Sequence, residues 1–106
     1  MSERANAFFN RADAFIVLAN EQMEKGVAAG EVSASFMYSL ARYTAWFSAS
    51  GWTESQDMAD ARDETTDFFV KEYTQILEIN LYDYIHTYDH YIQVYTELQQ
   101  KDKFSY

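Results

Sequence analysis

Residues 8–26 read FFNRADAFIVLANEQMEKG. Phe8, Ala12, Phe15, Ile16, Ala19 and Met23 recur at spacings of four, three, one, three and four, which is one stripe of a helix with 3.6 residues per turn. Glu24 and Lys25 end the stripe, and Gly26 is a natural C-terminal stop. The spacing predicts a first helix over about residues 3–25.

Gly30 ends a short connection and a second helix is expected over about 33–50, stopped by Gly51. Phe36, Leu40, Tyr43 and Phe47 form its main stripe. Tyr38, Ala41, Ala45, Trp46 and Ala49 leave the reverse side largely uncharged as well. A helix apolar nearly all round lies in the middle of a bundle or is covered by a partner chain.

From Trp52 onward there is neither Gly nor Pro. Thr53-Glu54-Ser55-Gln56 has the spacing of a capping box, with Thr53 as N-cap and Gln56 reaching back. Met58, Thr65, Phe68, Phe69, Tyr73, Ile76 and Leu77 follow at helical spacing. Leu81, Ile85, Tyr88, Ile92 and Tyr95 then step by four and three, a heptad-like seam. One helix through all of this would be about 65–70 Å long, against a radius of gyration near ~13 Å for a folded chain of this size. Such a rod either pairs with a second chain or breaks. Asn80 is the expected break: Asn is a good N-cap, Asp83 stands at its N3, and the stripe changes phase around Ile79 to Leu81. The expectation is therefore a third helix over about 54–78 and a fourth over about 81–99, with the two merged as the alternative. The tail from Lys101 is expected to fray.

Composition bounds the rest. The chain has 106 residues, 48% hydrophobic and 18% aromatic, with no proline and no cysteine. That length fits a single domain over 1–106, and the apolar fraction excludes a disordered chain. Without cysteine there is no disulfide framework, thiolate nucleophile or thiolate metal site. Eight Lys+Arg against 17 Asp+Glu leave a net charge of −9. The cations are scattered, so neither nucleic acid nor an anionic membrane surface is an expected partner. The first residues lack the pattern of a signal peptide and the least charged stretch, Val32 to Thr53, carries Arg42 and many hydroxyls, so a soluble cytoplasmic protein is expected.

Few residues suggest chemistry. Asp83, His86 and His90, at i, i+3 and i+7, would share one face of a helix, as in a two-histidine, one-carboxylate metal site. That face lies roughly opposite the Leu81/Ile85/Tyr88 seam, so the imidazoles are expected in water, with no metal and no cofactor. No Gly-x-Ser-x-Gly elbow is present, and no catalytic residue is expected. Glu54, Asp57, Asp60, Asp63, Glu64, Asp67 and Glu72 oppose only Arg62 and Lys71, which reads as a solvated face or a docking face for a basic partner. Arg42 is the only charge between Val32 and Thr53. It either fixes helix register through a carboxylate or binds an anion in a pocket with Tyr43 and Trp46. Five of the nine tyrosines crowd the fourth helix; Tyr82 and Tyr91 flank its seam, where tyrosines favour interfaces.

Phe15-Ile16 with Ala19-Asn20, Val32-Ser33-Ala34, and Tyr38 with Ala41-Arg42 resemble a family of small bacterial proteins, domain of unknown function family 3144. So does the run of Phe69, Tyr73, Leu77-Glu78, Asn80-Leu81 and Asp83-Tyr84-Ile85. The resemblance covers roughly Phe8 to Tyr91. It implies a compact helical protein with no assigned activity, and it transfers no catalytic residue.

The sequence thus predicts an all-α, small four-helix bundle-like arrangement. Its expected role is a non-enzymatic interaction module that self-associates or binds another protein, with Tyr82, Tyr91, Asp57, Asp60, Glu64 and Asp67 as the interaction surface. The alternatives are a small-molecule or anion binder around Arg42, Tyr43 and Trp46, and a nucleic-acid mimic docking on a basic protein.

Overall fold

A computed structural model describes residues 2–90, 92 and 93. Among them the chain is all-α, with α1 over Glu3–Glu24, α2 over Ala29–Ser50, α3 over Ser55–Asp60 and α4 over Arg62–His86. It divides into two compact units, Met1–Ser55 and Gln56–Tyr106.

The first unit is a helical hairpin. At its start the Ser2 side chain accepts a hydrogen bond from the Ala5 amide at 3.1 Å, which satisfies one of the orphan donors of the first turn. At the other end of α1, Gly26 takes φ +95°. Its amide donates to Met23 O at 2.9 Å and the Val27 amide to Gln22 O at 3.3 Å. This is the left-handed stop that a residue with a Cβ resists. The helix ends at Glu24, within one residue of the sequence expectation.

The second helix begins four residues earlier than the sequence suggests. Ala29 and Gly30 belong to its first turn, with Glu31 beside them. First-turn amides have no intrahelical partner in any case, so glycine is tolerated there. Glu31 also favours the positive end of the helix dipole. The connection shrinks to residues 25–28, which obliges α1 and α2 to run antiparallel. Phe15 and Phe36 meet across them with ring centroids 6.2 Å apart.

What lies between the two helices differs from the expected stripe. The α1 residues of intermediate burial are Ala5, Ala12 and Ala19, seven apart, and on α2 they are Thr44 and Ser48. Val32, 5% exposed, is the one buried residue among those described. Small side chains therefore occupy the seam, and the phenylalanines flank it.

In the second unit, the expected break at Asn80 is absent: α4 runs unbroken through it. The Asn80 side chain donates to Ile76 O at 2.8 Å, back along its own helix. An asparagine whose amide finds the i−4 carbonyl is accommodated mid-helix and does not serve as a cap. The third and fourth predicted helices are thus merged across this point, as the alternative had it. The interruption falls instead at Ala61, φ −89° and ψ 1°. Helical hydrogen bonding continues across it, Ala61 to Asp57 O at 3.2 Å and Thr65 to Ala61 O at 2.9 Å. The capping box does not form either. Thr53 and Glu54 lie in a bend before α3, and Gln56 reaches forward to donate to Asp60 Oδ1 at 2.8 Å.

Helix α4 ends at His86, with Thr87 as C-cap at φ −109°. Residues 88–90 are helical again. Ile92 and Gln93 are helical too, whereas Tyr91 and Tyr95 lie outside the described residues.

Candidate functional site

The feature that could receive a ligand or a partner is a groove of about 440 Å³ along one side of the hairpin. From α1 it takes Phe15, Leu18, Ala19 and Gln22. From α2 it takes Val32, Phe36, Leu40 and Tyr43, with the hydroxyls of Ser35 and Ser39 between them. Helical spacing explains the set. Residues 15, 18, 19 and 22 of α1, and 32, 36, 39, 40 and 43 of α2, each fall on one side of a 3.6-residue helix. Phe15 is 60% exposed and Tyr43 65%, so the groove stands open.

The polar content is small, and no carboxylate, imidazole or guanidinium lines it. A site of this kind recognises apolar matter by shape and has no group placed for acid–base or nucleophilic work.

Of the predicted pocket residues, Tyr43 lines the groove and Trp46 lies beside Tyr43 without lining it, their rings 5.7 Å apart and tilted by 47°. Arg42 does not join them. It is exposed and has no carboxylate partner among the described residues, so the expected register-fixing ion pair is not made there. It stands on the groove's flank, in step with Ser35 and Ser39 on α2 (positions 35, 39, 42). Two further cations, Arg4 and Arg11, fall on the same side of α1 as its groove residues without lining the groove. The stripe Arg4, Phe8, Arg11, Phe15, Leu18 and Gln22 steps by four, three, four, three and four. Sequence reading that followed only the apolar residues passed over this basic edge, although the spacing of the two arginines was the signal for it.

On the second unit, Asp57, Asp60, Glu64 and Asp67 are all exposed. Tyr82 is exposed as well and stacks on His86, centroids 4.0 Å apart. His86 Nδ1 lies 3.0 Å from Tyr82 O. Tyr91 lies outside the described residues. His86 and His90 are both exposed, and the helix ending at His86 separates them. Among the described residues no group of three His, Cys, Asp or Glu is placed to hold a metal ion. No described helix is long and apolar enough to cross a membrane.

Residues 8–85 match a family described as protein of unknown function, DUF3144. The chain belongs to this family. The solved structures include a relative, the protein NB7890A from Shewanella sp., determined by NMR. It is 42% identical, with a TM-score of 0.72, over 81% of this chain and 91% of its own. No curated protein matches the chain. Every groove residue named above falls within the family match, as do Arg11, Arg42 and the acids of α3 and α4; Arg4 precedes it.

Proposed function

We propose that this member of the DUF3144 family is a non-enzymatic cytoplasmic interaction module that works by self-association. One observation carries the reading: the hairpin holds an apolar groove open, flanked by aromatic side chains more than half exposed, while among the described residues a single one, Val32, is buried. Apolar surface concentrated in this way marks a binding face. A chain of net charge −9 repels its own copies except where charge is sparse, and α2 carries only Glu31 and Arg42. The acidic residues of α3 and α4 remain as an outward surface for basic proteins.

The test is the mass in solution. Light scattering or sedimentation equilibrium at micromolar concentration is expected to give a dimer or higher species; a strict monomer at high micromolar concentration overturns the proposal. Cell fractionation tests the compartment, with recovery in the soluble cytoplasmic fraction expected.

A second reading rests on the groove's volume. About 440 Å³ falls within the ~300–1,000 Å³ of small-molecule sites, and the lining favours an apolar ligand over the anion expected at Arg42. Native mass spectrometry of the purified protein would show a bound small molecule under this reading and the bare polypeptide otherwise.

A further inference from the structure

The hairpin groove carries ridge and hollow on one face. Ala19, Ser35 and Ser39 are its small lining residues, whereas Phe15 and Tyr43 stand 60% and 65% exposed on α1 and α2. Ridges of side chains on one helix pair pack into the grooves of another, and a face that owns both can pair with its own copy about a two-fold axis. We propose that the α1–α2 groove is the self-association surface and is covered by the same groove of a second copy, so that two hairpins make an intermolecular four-helix bundle. This rests on the self-association reading and names the surface and its partner.

Area supports this occupant. The groove side chains Phe15, Leu18, Phe36, Leu40 and Tyr43, with Phe47 as the next residue of the same α2 stripe, are 39% to 65% exposed. At about 200 Å² for a full-size side chain, these six offer roughly 650 Å². A stable interface takes about 600–1,000 Å² from each partner, so one hairpin face suffices.

Charge supports it as well. Two charges stand on α2, Glu31 and Arg42. At about 100° per residue both lie about 120° or more around the helix from Phe36. The acids of α1, at Glu3, Asp13, Glu21 and Glu24, lie at least about as far around it from Phe15. Arg4 and Arg11 are nearer that side, and stems of their length carry a guanidinium out to the rim and into water. An acidic or basic partner therefore finds no opposite charge in the groove, and a second copy brings none of its own to it. Residues 1–55 hold four cations and six acids, a net −2 of the chain's −9. Meeting hairpin to hairpin sets the less charged regions of two copies together, where self-repulsion is weakest.

The polar groups that this pairing covers are few. Ser35 and Ser39 carry hydroxyls, which inside a helix can turn to the carbonyl four residues back, and Gln22 carries the one side-chain amide of the lining. No ionised group loses its water in the groove, so the apolar contact is not offset by an unpaired charge.

Mixed isotope labelling of the full-length protein tests the proposal. In a sample with equal parts labelled and unlabelled chains, filtered nuclear Overhauser contacts arise between copies alone. They are expected from Phe15, Phe36, Leu40 and Tyr43 of one copy to the same four side chains of the other. Two variants accompany this. Tyr43→Glu sets a charge on the groove, with no charged residue three or four positions away to offset it. Ala45→Glu adds the same charge on the opposite side of α2 from Phe36. Both positions are exposed, and circular dichroism checks that both variants fold. By sedimentation equilibrium Tyr43→Glu is expected to dimerise at least about tenfold more weakly than the wild type, and Ala45→Glu to stay within about twofold of it. A wild-type dimer whose contacts between copies lie elsewhere, or join the groove to α3 or α4, overturns the assignment of the surface while self-association stands. The two variants weakening association equally, or not at all, has the same consequence. A monomeric wild type overturns both.

Discussion

Residues 1–55 carry four cations and six acids, whereas residues 56–106 carry four cations and eleven acids. The first region folds as a hairpin whose ends are set by local devices: a serine cap at Ser2 and a left-handed glycine at Gly26. The second has no side-chain cap at the start of α4 and no glycine anywhere. Its helix continues until Thr87. The two regions are specified by different means. In the first region short-range signals decide the chain reversal, and the seam is filled by Ala5, Ala12 and Ala19. In the second, a run without glycine or proline gives length, and Asp57, Asp60, Glu64 and Asp67 are exposed along it. Among the described residues neither region buries its large apolar side chains within itself.

Breaking the first region's contact face should have the largest effect. Leu40→Asp removes a groove side chain that is 52% exposed within the chain. If the groove is covered in the associated state, the change forfeits about 1.5–3 kcal/mol of apolar burial and adds a carboxylate that loses its water. Association should weaken by about 100-fold or more, read by sedimentation equilibrium. An unchanged constant would mean the groove is open in the assembly too.

The hairpin's turn comes next. Gly26→Ala leaves φ +95° in place for a residue with a Cβ, and nothing lies within 4 Å of that Cβ. The penalty is therefore backbone strain alone, about 1–2 kcal/mol. It should appear as a lower urea midpoint with an unchanged slope. A change below a few tenths of a kcal/mol would show that the turn is specified elsewhere. Ser2→Ala should have a smaller effect of the same sign, about 0.5–1 kcal/mol, through the loss of the hydroxyl that accepts from Ala5.

Much of this was legible in the sequence. The all-α class, the first helix, its stop at Gly26 and the end of the second at Gly51 followed from periodicity and from the backbone freedom of glycine. Less legible was which side of α1 meets α2. The stripe of Phe8, Phe15 and Met23 includes both the seam and its flanks, and apolarity alone does not rank alanine above phenylalanine. Close approach of two helices does, because small side chains let backbones come together. Phe15, a member of that stripe, is accordingly 60% exposed beside the alanine seam. Arg42 was singled out as the lone charge of its stretch. The groove itself joins residues of two helices, Phe15, Leu18 and Gln22 of α1 with Phe36, Leu40 and Tyr43 of α2, and only the hairpin brings them together. The Thr53 capping box matched in spacing and failed in the fold, since the same Gln56 could satisfy Asp60 four residues on.

The smallest effect should be the most discriminating, because its sign separates two descriptions of α4. As the N-cap of a fourth helix, Asn80 would lose about 1 kcal/mol on replacement by alanine. In the observed helix it is a mid-helix residue whose exposed amide bonds the Ile76 carbonyl of its own turn. That bond satisfies a carbonyl already used in the helix ladder, and asparagine ranks well below alanine in helix propensity. Asn80→Ala should therefore stabilise the protein by about 0.3–0.6 kcal/mol and leave helicity by circular dichroism the same or slightly higher. A loss of stability instead would place a break at Asn80 after all. The second region would then be two helices joined at a cap, as closely specified by local signals as the hairpin is.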